Sequence, residues 1–289
     1  MLRKEIMLPI CGREFSETDL SWIRGQVASQ PNLNRAQLSR QFCSHIDWRK
    51  PDGNLKEMSC RVALLRLERQ GLIQLPVPRT RPPKVGKILR TPQGDPQPAM
   101  EIEAGRVELT LDPVGPSTSP LWNELIDRYH YLGYRRAGGA QMRFLVRASG
   151  KLVALLGYAG AAWRVAPRET FIGWNEEQRQ ERLHRVVDNS RFLILPWVRG
   201  KNLASRILGL AARQLADRWE NRYRYRPVLL ETFVEERRFA GTCYQAANWI
   251  CVGRTQGRGK WDRTNAHVQP VKTIWLYPLH RRFREVLCG

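Results

Sequence analysis

One stretch of the chain, residues 189–253, orders its apolar and polar segments in a way that few folds accommodate. An apolar run ends at Pro196, and the basic turn 199–202 and a long helical pattern follow it. A second apolar run, a short helical segment around Tyr244 and a last apolar segment complete the stretch. The order strand, basic turn, helix, strand, short helix, strand predicts the core of a mixed α/β domain.

Three segments of this stretch carry specific expectations. Residues 191–195 are apolar at nearly every position, which predicts a central strand that is covered on both faces. The next helix repeats apolar residues at every fourth position from Leu203 to Trp219, so we expect one buried stripe. The strand at 228–234 contains Glu231, and a buried carboxylate is costly unless it is paired or used. A salt bridge to one of the many arginines and a functional role explain Glu231 equally well.

The charge of the chain limits its partners. Lys and Arg number 48 against 27 Asp and Glu, a formal net charge of +21. Such a field attracts polyanions, and nucleic acid is the commonest polyanion inside cells, although a generally Arg-rich proteome is the alternative explanation. No apolar run approaches the roughly 20 residues that span a bilayer. The charged N-terminus does not resemble a secretory signal, so we expect a cytoplasmic protein without membrane contacts.

Composition along the chain predicts two domains and a connector, and the fold class α+β. Residues 1–78 hold three helical patterns and then a short apolar strand at 72–76, the outline of a winged helix-turn-helix domain. Residues 79–118 are Pro-rich, and basic in their first half, which predicts a linker with one edge strand near 107–111. Residues 119–289 form the mixed α/β domain with a basic C-terminal segment.

The N-terminal domain is the first candidate DNA-binding region. A capping residue begins each predicted helix, at Ser16, Asn34 and Asn54. The third helix of such a domain enters the major groove. We expect its buried stripe to consist of Met58, Val62 and Leu65, and its outward DNA contacts to be Lys56, Ser59 and Arg66. A small helical bundle that contacts proteins is the alternative.

Basic residues also gather in the larger domain. The candidate DNA contacts there are Arg199, Lys201, Arg254, Arg258 and Lys260. Trp261 and Trp275 interleave with the basic C-terminal segment, which would allow stacking on bases. A solvated surface loop is the alternative for that segment.

The order of elements in the core resembles the GNAT acyltransferase fold. In that family a turn at a helix N-terminus reads Gln or Arg, two residues, Gly, one residue, then Gly or Ala, and its N–H groups hold the pyrophosphate of coenzyme A. Residues 199–204 fit this pattern at both ends, but Asn202 replaces the first Gly and crowds the backbone. The resemblance also implies a Tyr general acid, for which Tyr244 has the spacing, and Glu231 would serve as the base.

Five runs of residues resemble the DruA family, which is named for a component of the Druantia anti-phage defence system. They read LWNELIDRYHYLGYRR, NSRFLILPWVRGKNLAS, RPVLLETFVEERRF, GTCYQAANW and GRTQGRGK. The resemblance implies a role around foreign or mobile DNA. It also implies DNA and other defence-system proteins, a helicase included, as partners.

Three functions stay open, and with them the question of whether the chain is an enzyme. The first is a DNA-binding component of a defence system, with the acyltransferase fold reused as a scaffold. The second is a nuclease or transposase-like enzyme, in which Mg²⁺ would be held by His130, Asp188, Glu231 and Glu235. The third is an acyltransferase that uses coenzyme A or an aminoacyl-tRNA. The catalytic candidates are Glu231, Tyr244 and His130, and the sequence specifies no metal site, since no two Cys or His stand at zinc-ligand spacing.

Overall fold

The computed structural model describes residues 8–78, 88–103, 107–257 and 269–289. The chain divides into two compact units, Met1–Gly86 and Lys87–Gly289, and each unit has its own hydrophobic core. Across the described ranges, no helix combines the length and the apolar character that a membrane crossing requires.

The described part of the first unit is a β-hairpin followed by three helices. Its elements are β1 (Leu8–Ile10), β2 (Arg13–Phe15), α1 (Glu17–Ser29), α2 (Arg35–His45) and α3 (Glu57–Arg69). Ser16 and Asn34 begin α1 and α2 with capping boxes, as the sequence predicts. The core between these elements contains Phe15, Phe42 and Leu64, all of which are buried.

The buried side of α3 differs from the prediction. The helix begins after Lys56 rather than at Asn54, and Met58 and Val62 are 65% and 41% exposed. The buried residues are Cys60, Ala63, Leu64 and Leu67. Both sets have helical spacing, but the set with the small residues lets α3 lie close to α2. The outward side of α3 is therefore more apolar than expected.

The strand expected at 72–76 is absent from the described residues. Its backbone groups bond to side chains instead of to a partner strand. The carbonyl oxygen of Leu72 accepts from Arg24 at 2.8 Å, and the N–H of Leu75 donates to Glu68 at 3.0 Å. Ile73 and Leu75 are buried, so the segment closes the core without forming a wing.

The described part of the second unit is a mixed sheet of seven strands with helices on both faces. Its elements up to the centre of the sheet are β3 (Met100–Glu101), β4 (Leu109–Pro113), α4 (Ser119–Tyr129), β5 (Gln141–Ala148), β6 (Lys151–Gly160), α5 (Ala166–Ile172), α6 (Glu176–Arg182) and β7 (Val186–Ile194). The remainder are β8 (Val198–Arg199), α7 (Leu203–Tyr223), β9 (Leu229–Glu235), α8 (Thr242–Ala246), β10 (Ile250–Arg254), β11 (Lys272–Pro278) and α9 (Phe283–Cys288).

The strand order of the sheet is β10-β11-β9-β7-β6-β5-β4, which places β7 at the centre, as expected. All neighbouring strands are antiparallel except β7 and β9. Helices α4, α7 and α8 cover one face and α5 and α9 the other. The predicted stripe of α7, from Leu203 to Trp219, is buried throughout.

Two regions of this unit differ from the sequence expectations. Residues 88–103 and 107–118 pack on the unit, whereas the sequence predicts a linker there; the edge strand expected within them is β4. Thr91 donates to the buried Glu124 through both its N–H and its hydroxyl group, each at 2.8 Å. The charged pattern of residues 174–186 predicts one helix, but α6 covers only Glu176–Arg182 and α5 precedes it.

Candidate functional site

The centre of the sheet contains a gap between two parallel strands. Residues 186–188 of β7 pair with residues 229–231 of β9. Beyond them β7 continues to Ile194 and β9 continues to Glu235, without further pairing between the two strands. The strands therefore diverge after Asp188 and Glu231, and we call the space between them the central gap.

Glu231 lies at the closed end of the central gap, with its side chain fully buried. Its Oε2 accepts from Nη1 of Arg168 at 2.7 Å, and its Oε1 accepts from the N–H of Ala162 at 2.8 Å. The Arg168 side chain is also fully buried, and it donates to Glu169 at 2.7 Å. Burial raises the pKa of Glu231, and the charge of Arg168 opposes that effect. The salt bridge expected as one explanation of Glu231 is thus present.

Asp188 is the register partner of Glu231 across the two strands. Among the described residues, its Oδ1 has no hydrogen-bond partner. Burial, and then the charge of Glu231, raise the pKa of Asp188 well above its ordinary value, with Arg191 opposing. Of this carboxyl pair, Asp188 is therefore the member whose pKa is raised more strongly.

Tyr244 lies on the opposite face of the sheet from Glu231. Glu231 and Thr232 are consecutive residues of β9, so their side chains point to opposite faces. Tyr244 packs in the core on the Thr232 side, and its hydroxyl group donates to Oδ1 of Asn189 at 3.0 Å. Thr232 donates to the carbonyl oxygen of Asn189 at 3.0 Å. Burial raises the pKa of Tyr244, which keeps its hydroxyl group protonated.

His130 follows α4 and lies beside Arg191 of β7. Its ring stacks on Tyr131 with centroids 4.9 Å apart, and Arg191 donates to the carbonyl oxygen of Gly133 at 3.3 Å. Burial and the charge of Arg191 lower the pKa of His130 to about 4, so the imidazole is neutral at physiological pH. Within the part of the chain that the structure describes, no three His, Cys, Asp or Glu side chains come together as a metal site.

The candidate DNA contacts of the first unit lie on or beside α3. Arg66 is exposed on the helix, and Ser59 is half-buried. Lys56 immediately precedes the helix, and its ammonium group lies 6.0 Å from the ring centroid of Trp48. Of the three, Arg66 is the most accessible to a ligand.

The candidate DNA contacts of the second unit are spread over two places. Arg199 and Lys201 are exposed in the basic turn before α7. Arg254, at the end of β10, pairs with Glu236 at 2.6 Å. Arg258 and Lys260, like Trp261, lie outside the described residues.

The basic turn is bordered by another segment of the chain. Strand β3 pairs with β8 in parallel, and the N–H of Ile102 donates to the carbonyl oxygen of Arg199 at 2.7 Å. A Cβ atom on Gly200 would stand 2.8 Å from the carbonyl oxygen of Ile102. Asn202 has a φ of 60°, a left-handed conformation that Asn tolerates, and its side chain forms no cap on α7.

Sequence reasoning missed two residues of this site, Arg168 and Asn189. Each acts through a partner far along the chain, since Arg168 is 63 positions from Glu231 and Asn189 is 55 positions from Tyr244. No local pattern indicates such a pairing. A fully buried arginine requires a carboxylate partner, but the burial of Arg168 is a property of the folded chain that its sequence does not reveal.

Comparison with known proteins gives one family and a group of solved structures. The family described as Druantia protein DruA matches residues 67–274. No curated protein matches the chain. Similar solved structures include the spermidine/spermine N-acetyltransferase of Vibrio cholerae, with 12% identity and a TM-score of 0.39 over 61% of this chain and 96% of that one.

Two further structures are similar at the same level. The ribosomal-protein-S18-alanine N-acetyltransferase of Escherichia coli has 13% identity and a TM-score of 0.36 over 60% of this chain and 94% of that one. A GNAT-family acetyltransferase of Streptococcus pneumoniae has 13% identity and a TM-score of 0.38 over 59% of this chain and 99% of that one. A likeness at these TM-scores carries no argument about activity.

Proposed function

The chain belongs to the DruA family, and from that membership we propose that it is a DNA-binding component of an anti-phage defence system. The observation that carries the DNA-binding part is the charge of +21, combined with exposed cations that form no ion pair with a described residue. Other proteins of the same system, a helicase among them, are the expected partners.

The first unit shows how the uncompensated charge arises. Glu57 pairs with Arg40 and Arg61, and Glu68 pairs with Arg35, so these carboxylates are already neutralised. Arg66 and Arg69 stand exposed on α3 without an ion pair to any described residue. They remain available for phosphate oxygens.

The outward side of α3 has the composition that a major groove accepts. Met58, Val62 and Arg66 follow one another at intervals of four residues, so they lie on one side of the helix. Exposed apolar side chains contact thymine methyl groups, and arginine contacts guanine or phosphate. We therefore assign duplex recognition to α3, with the unit acting as a helix-turn-helix-like domain.

The geometry gives less support to the enzymatic alternatives. For acyl transfer, the Tyr244 hydroxyl group already donates to Asn189, and β3 borders the basic turn where coenzyme A would bind. For metal-dependent cleavage, Glu231 is committed to Arg168 rather than to a neighbouring carboxylate. A binding role requires no change in any of these contacts.

Duplex binding by the full chain tests the proposal. The variant Arg66→Gln/Arg69→Gln should weaken binding of a labelled duplex about tenfold at 100 mM salt, and should reduce the salt slope by about 2, because two phosphate contacts are lost. The matched control is Arg40→Gln/Arg226→Gln, which removes the same charge from exposed arginines that already have carboxylate partners. Fluorescence anisotropy across a salt series gives both quantities.

Two results would contradict the proposal. The first is a wild-type chain that binds no duplex at low salt. The second is an equal loss of affinity in the test and control variants, because that would reflect net charge rather than the α3 surface. Incubation of the same duplex with Mg²⁺ reports any cleavage in parallel.

A further inference from the structure

Two loops meet beside the open end of the central gap and expose an aromatic surface. One is residues 130–136, which follow α4, and the other is residues 236–240, which follow β9. The rings of Tyr131 and Phe239 are 5.4 Å apart, and Tyr131 stacks in turn on His130 at 4.9 Å. Phe239 is 50% exposed and belongs to no core cluster among the described residues. We call these three rings the aromatic row.

Phe239 is placed where an ordinary packing role does not explain it. Among the described residues, the ring of Phe239 contacts the ring of Tyr131, and half of its surface faces solvent. Burial of a phenylalanine ring is favourable, so the half-exposed ring of Phe239 leaves apolar surface in contact with water. An exposed ring at the end of a row of rings is instead suited to stack on a planar ligand.

Cations surround the aromatic row; the carboxylates of Glu235 and Glu236 are already paired with arginines, whereas Asp127 accepts from the N–H of Tyr134 at 3.3 Å. The guanidinium group of Arg238 lies 5.4 Å from the ring centroid of Tyr131, and it pairs with Glu235 at 3.0 Å. Glu236 pairs with Arg254 at 2.6 Å. Arg135 and Arg237 are exposed, one on each loop, and form no ion pair with a described residue. The surface thus carries free positive charge beside stacked rings.

We propose that the aromatic row binds an unpaired segment of DNA, with one base stacked on Phe239 and the backbone phosphates held by Arg135 and Arg237. Aromatic rings interleaved with arginine are the combination by which proteins hold single strands without reading their sequence. A duplex does not present a free base face to Phe239, since its bases are stacked on one another. Because burial and the charge of Arg191 lower the pKa of His130 to about 4, its imidazole adds no charge to the row at physiological pH.

This inference rests on the proposed DNA-binding function for the class of ligand, but it uses a surface of the second unit and a different form of DNA. The assignment of duplex recognition to α3 does not predict it. The two therefore respond to different substitutions.

The test measures binding of a fluorescein-labelled oligo-dT strand and of a labelled duplex by the full chain. The variant Phe239→Leu should raise the Kd for oligo-dT about tenfold, because one base–aromatic contact is lost. It should change the Kd for the duplex by less than about twofold. Its salt slope should match that of the wild type, since no charge is removed, whereas Arg237→Gln should lower the slope by about 0.7 for the single strand.

Two controls separate stacking from other effects. Phe239→Trp keeps a flat ring and should restore the wild-type Kd for oligo-dT. Trp163→Leu removes another exposed aromatic residue, 48% exposed, and should leave the Kd within about twofold. Thermal unfolding of each variant verifies that it is folded, which we expect because Phe239 lies outside the cores.

The outcomes distinguish this inference from the proposed function. If Phe239→Leu and the wild type bind oligo-dT equally, or if the wild type binds no oligo-dT, the inference is overturned while duplex binding through α3 stands. If Phe239→Leu weakens oligo-dT and duplex equally, the row is not specific for unpaired DNA. If the wild type binds oligo-dT and loses that binding with Phe239→Leu, but binds no duplex, the proposed role of α3 fails and the inference stands.

Discussion

At the scale of single residues, Arg168 and Glu231 form the most consequential pair in the second unit. Both side chains are fully buried, so removal of one partner leaves an isolated charge away from water. We predict that Arg168→Met lowers the free energy of unfolding by about 3–5 kcal/mol. The double variant Arg168→Met/Glu231→Gln should recover most of that loss, because neither charge remains. Urea unfolding followed by circular dichroism measures both.

The corresponding surface substitution provides the control. Arg226 pairs with Asp217 and Glu220 while 44% exposed, so Arg226→Met should cost less than about 1 kcal/mol. A double variant as unstable as Arg168→Met alone would contradict the ion-pair interpretation. Glu231 would then contribute through contacts other than Arg168.

The lowered pKa of His130 predicts how the stability of the folded chain changes as the pH falls. Its pKa is about 4 in the folded chain, because of burial and Arg191, against about 6.5 in an unfolded chain. The unfolded chain therefore binds the proton first, so stability is present above pH 6.5 and is lost as the pH falls toward 4. In a urea series from pH 7 to pH 4.5, His130→Gln should lose less stability than the wild type. Equal losses would show that His130 is no more buried than in the unfolded chain.

At the scale of elements, the pairing of β3 with the basic turn depends on Gly200. A Cβ atom there would lie 2.8 Å from the backbone oxygen of Ile102, which has no room to move without breaking the β3–β8 pair. Gly200→Ala should therefore cost about 1–3 kcal/mol in urea unfolding.

Gly209 is the matched control for that substitution. It lies within α7, where the nearest neighbour of an added Cβ atom is the end of the Arg213 side chain at 3.6 Å. Gly209→Ala should stabilise the chain by about 0.5–1 kcal/mol, because alanine favours the helix. Two substitutions of the same size, in and just before the same helix, are thus expected to have opposite signs. A neutral Gly200→Ala would show that β3 does not hold the turn.

The sequence predicts an element well when its apolar pattern is compatible with only one buried face. The stripe of α7 recurs at every fourth position, and its residues from Leu203 to Trp219 are all buried. Helix α3 has two solutions, because the set Cys60, Ala63, Leu64 and Leu67 has helical spacing just as the set Met58, Val62 and Leu65 does. The choice between them depends on how closely α2 approaches, which is a tertiary property. Strand β11 inserts between β9 and β10 by long-range pairing that no local pattern specifies.

The same limit applies to the candidate site. Asp188 and Glu231 belong to the predicted cluster, and the sheet register does bring them together. Glu231 finds its partner Arg168 on a helix that the sequence did not reveal, and Tyr244 lies across the sheet from it. The chemistry of a site depends on which face of a strand each residue occupies. That assignment follows from strand register, which a single sequence specifies only weakly.

At the scale of the whole molecule, we predict that the two units bind different forms of DNA. Each has its own core, so we expect fragments 1–86 and 87–289 to fold separately and to unfold cooperatively. The first fragment contains α3 and should bind duplex DNA with a salt dependence that Arg66→Gln/Arg69→Gln reduces. The second contains the aromatic row and should prefer oligo-dT. Circular dichroism establishes folding, and anisotropy with the two probes establishes preference.

We expect the full chain to bind some DNA molecules more tightly than either fragment does. When two binding modules are joined in one chain, the second binding event becomes intramolecular, so overall affinity exceeds that of either module. A duplex with a single-stranded tail should therefore bind the full chain at least about tenfold more tightly than it binds either fragment. Phe239→Leu should reduce that gain about tenfold and leave the duplex affinity of α3 unchanged. A full chain that binds the tailed duplex no better than the tighter fragment would show that the two surfaces do not act on one DNA molecule.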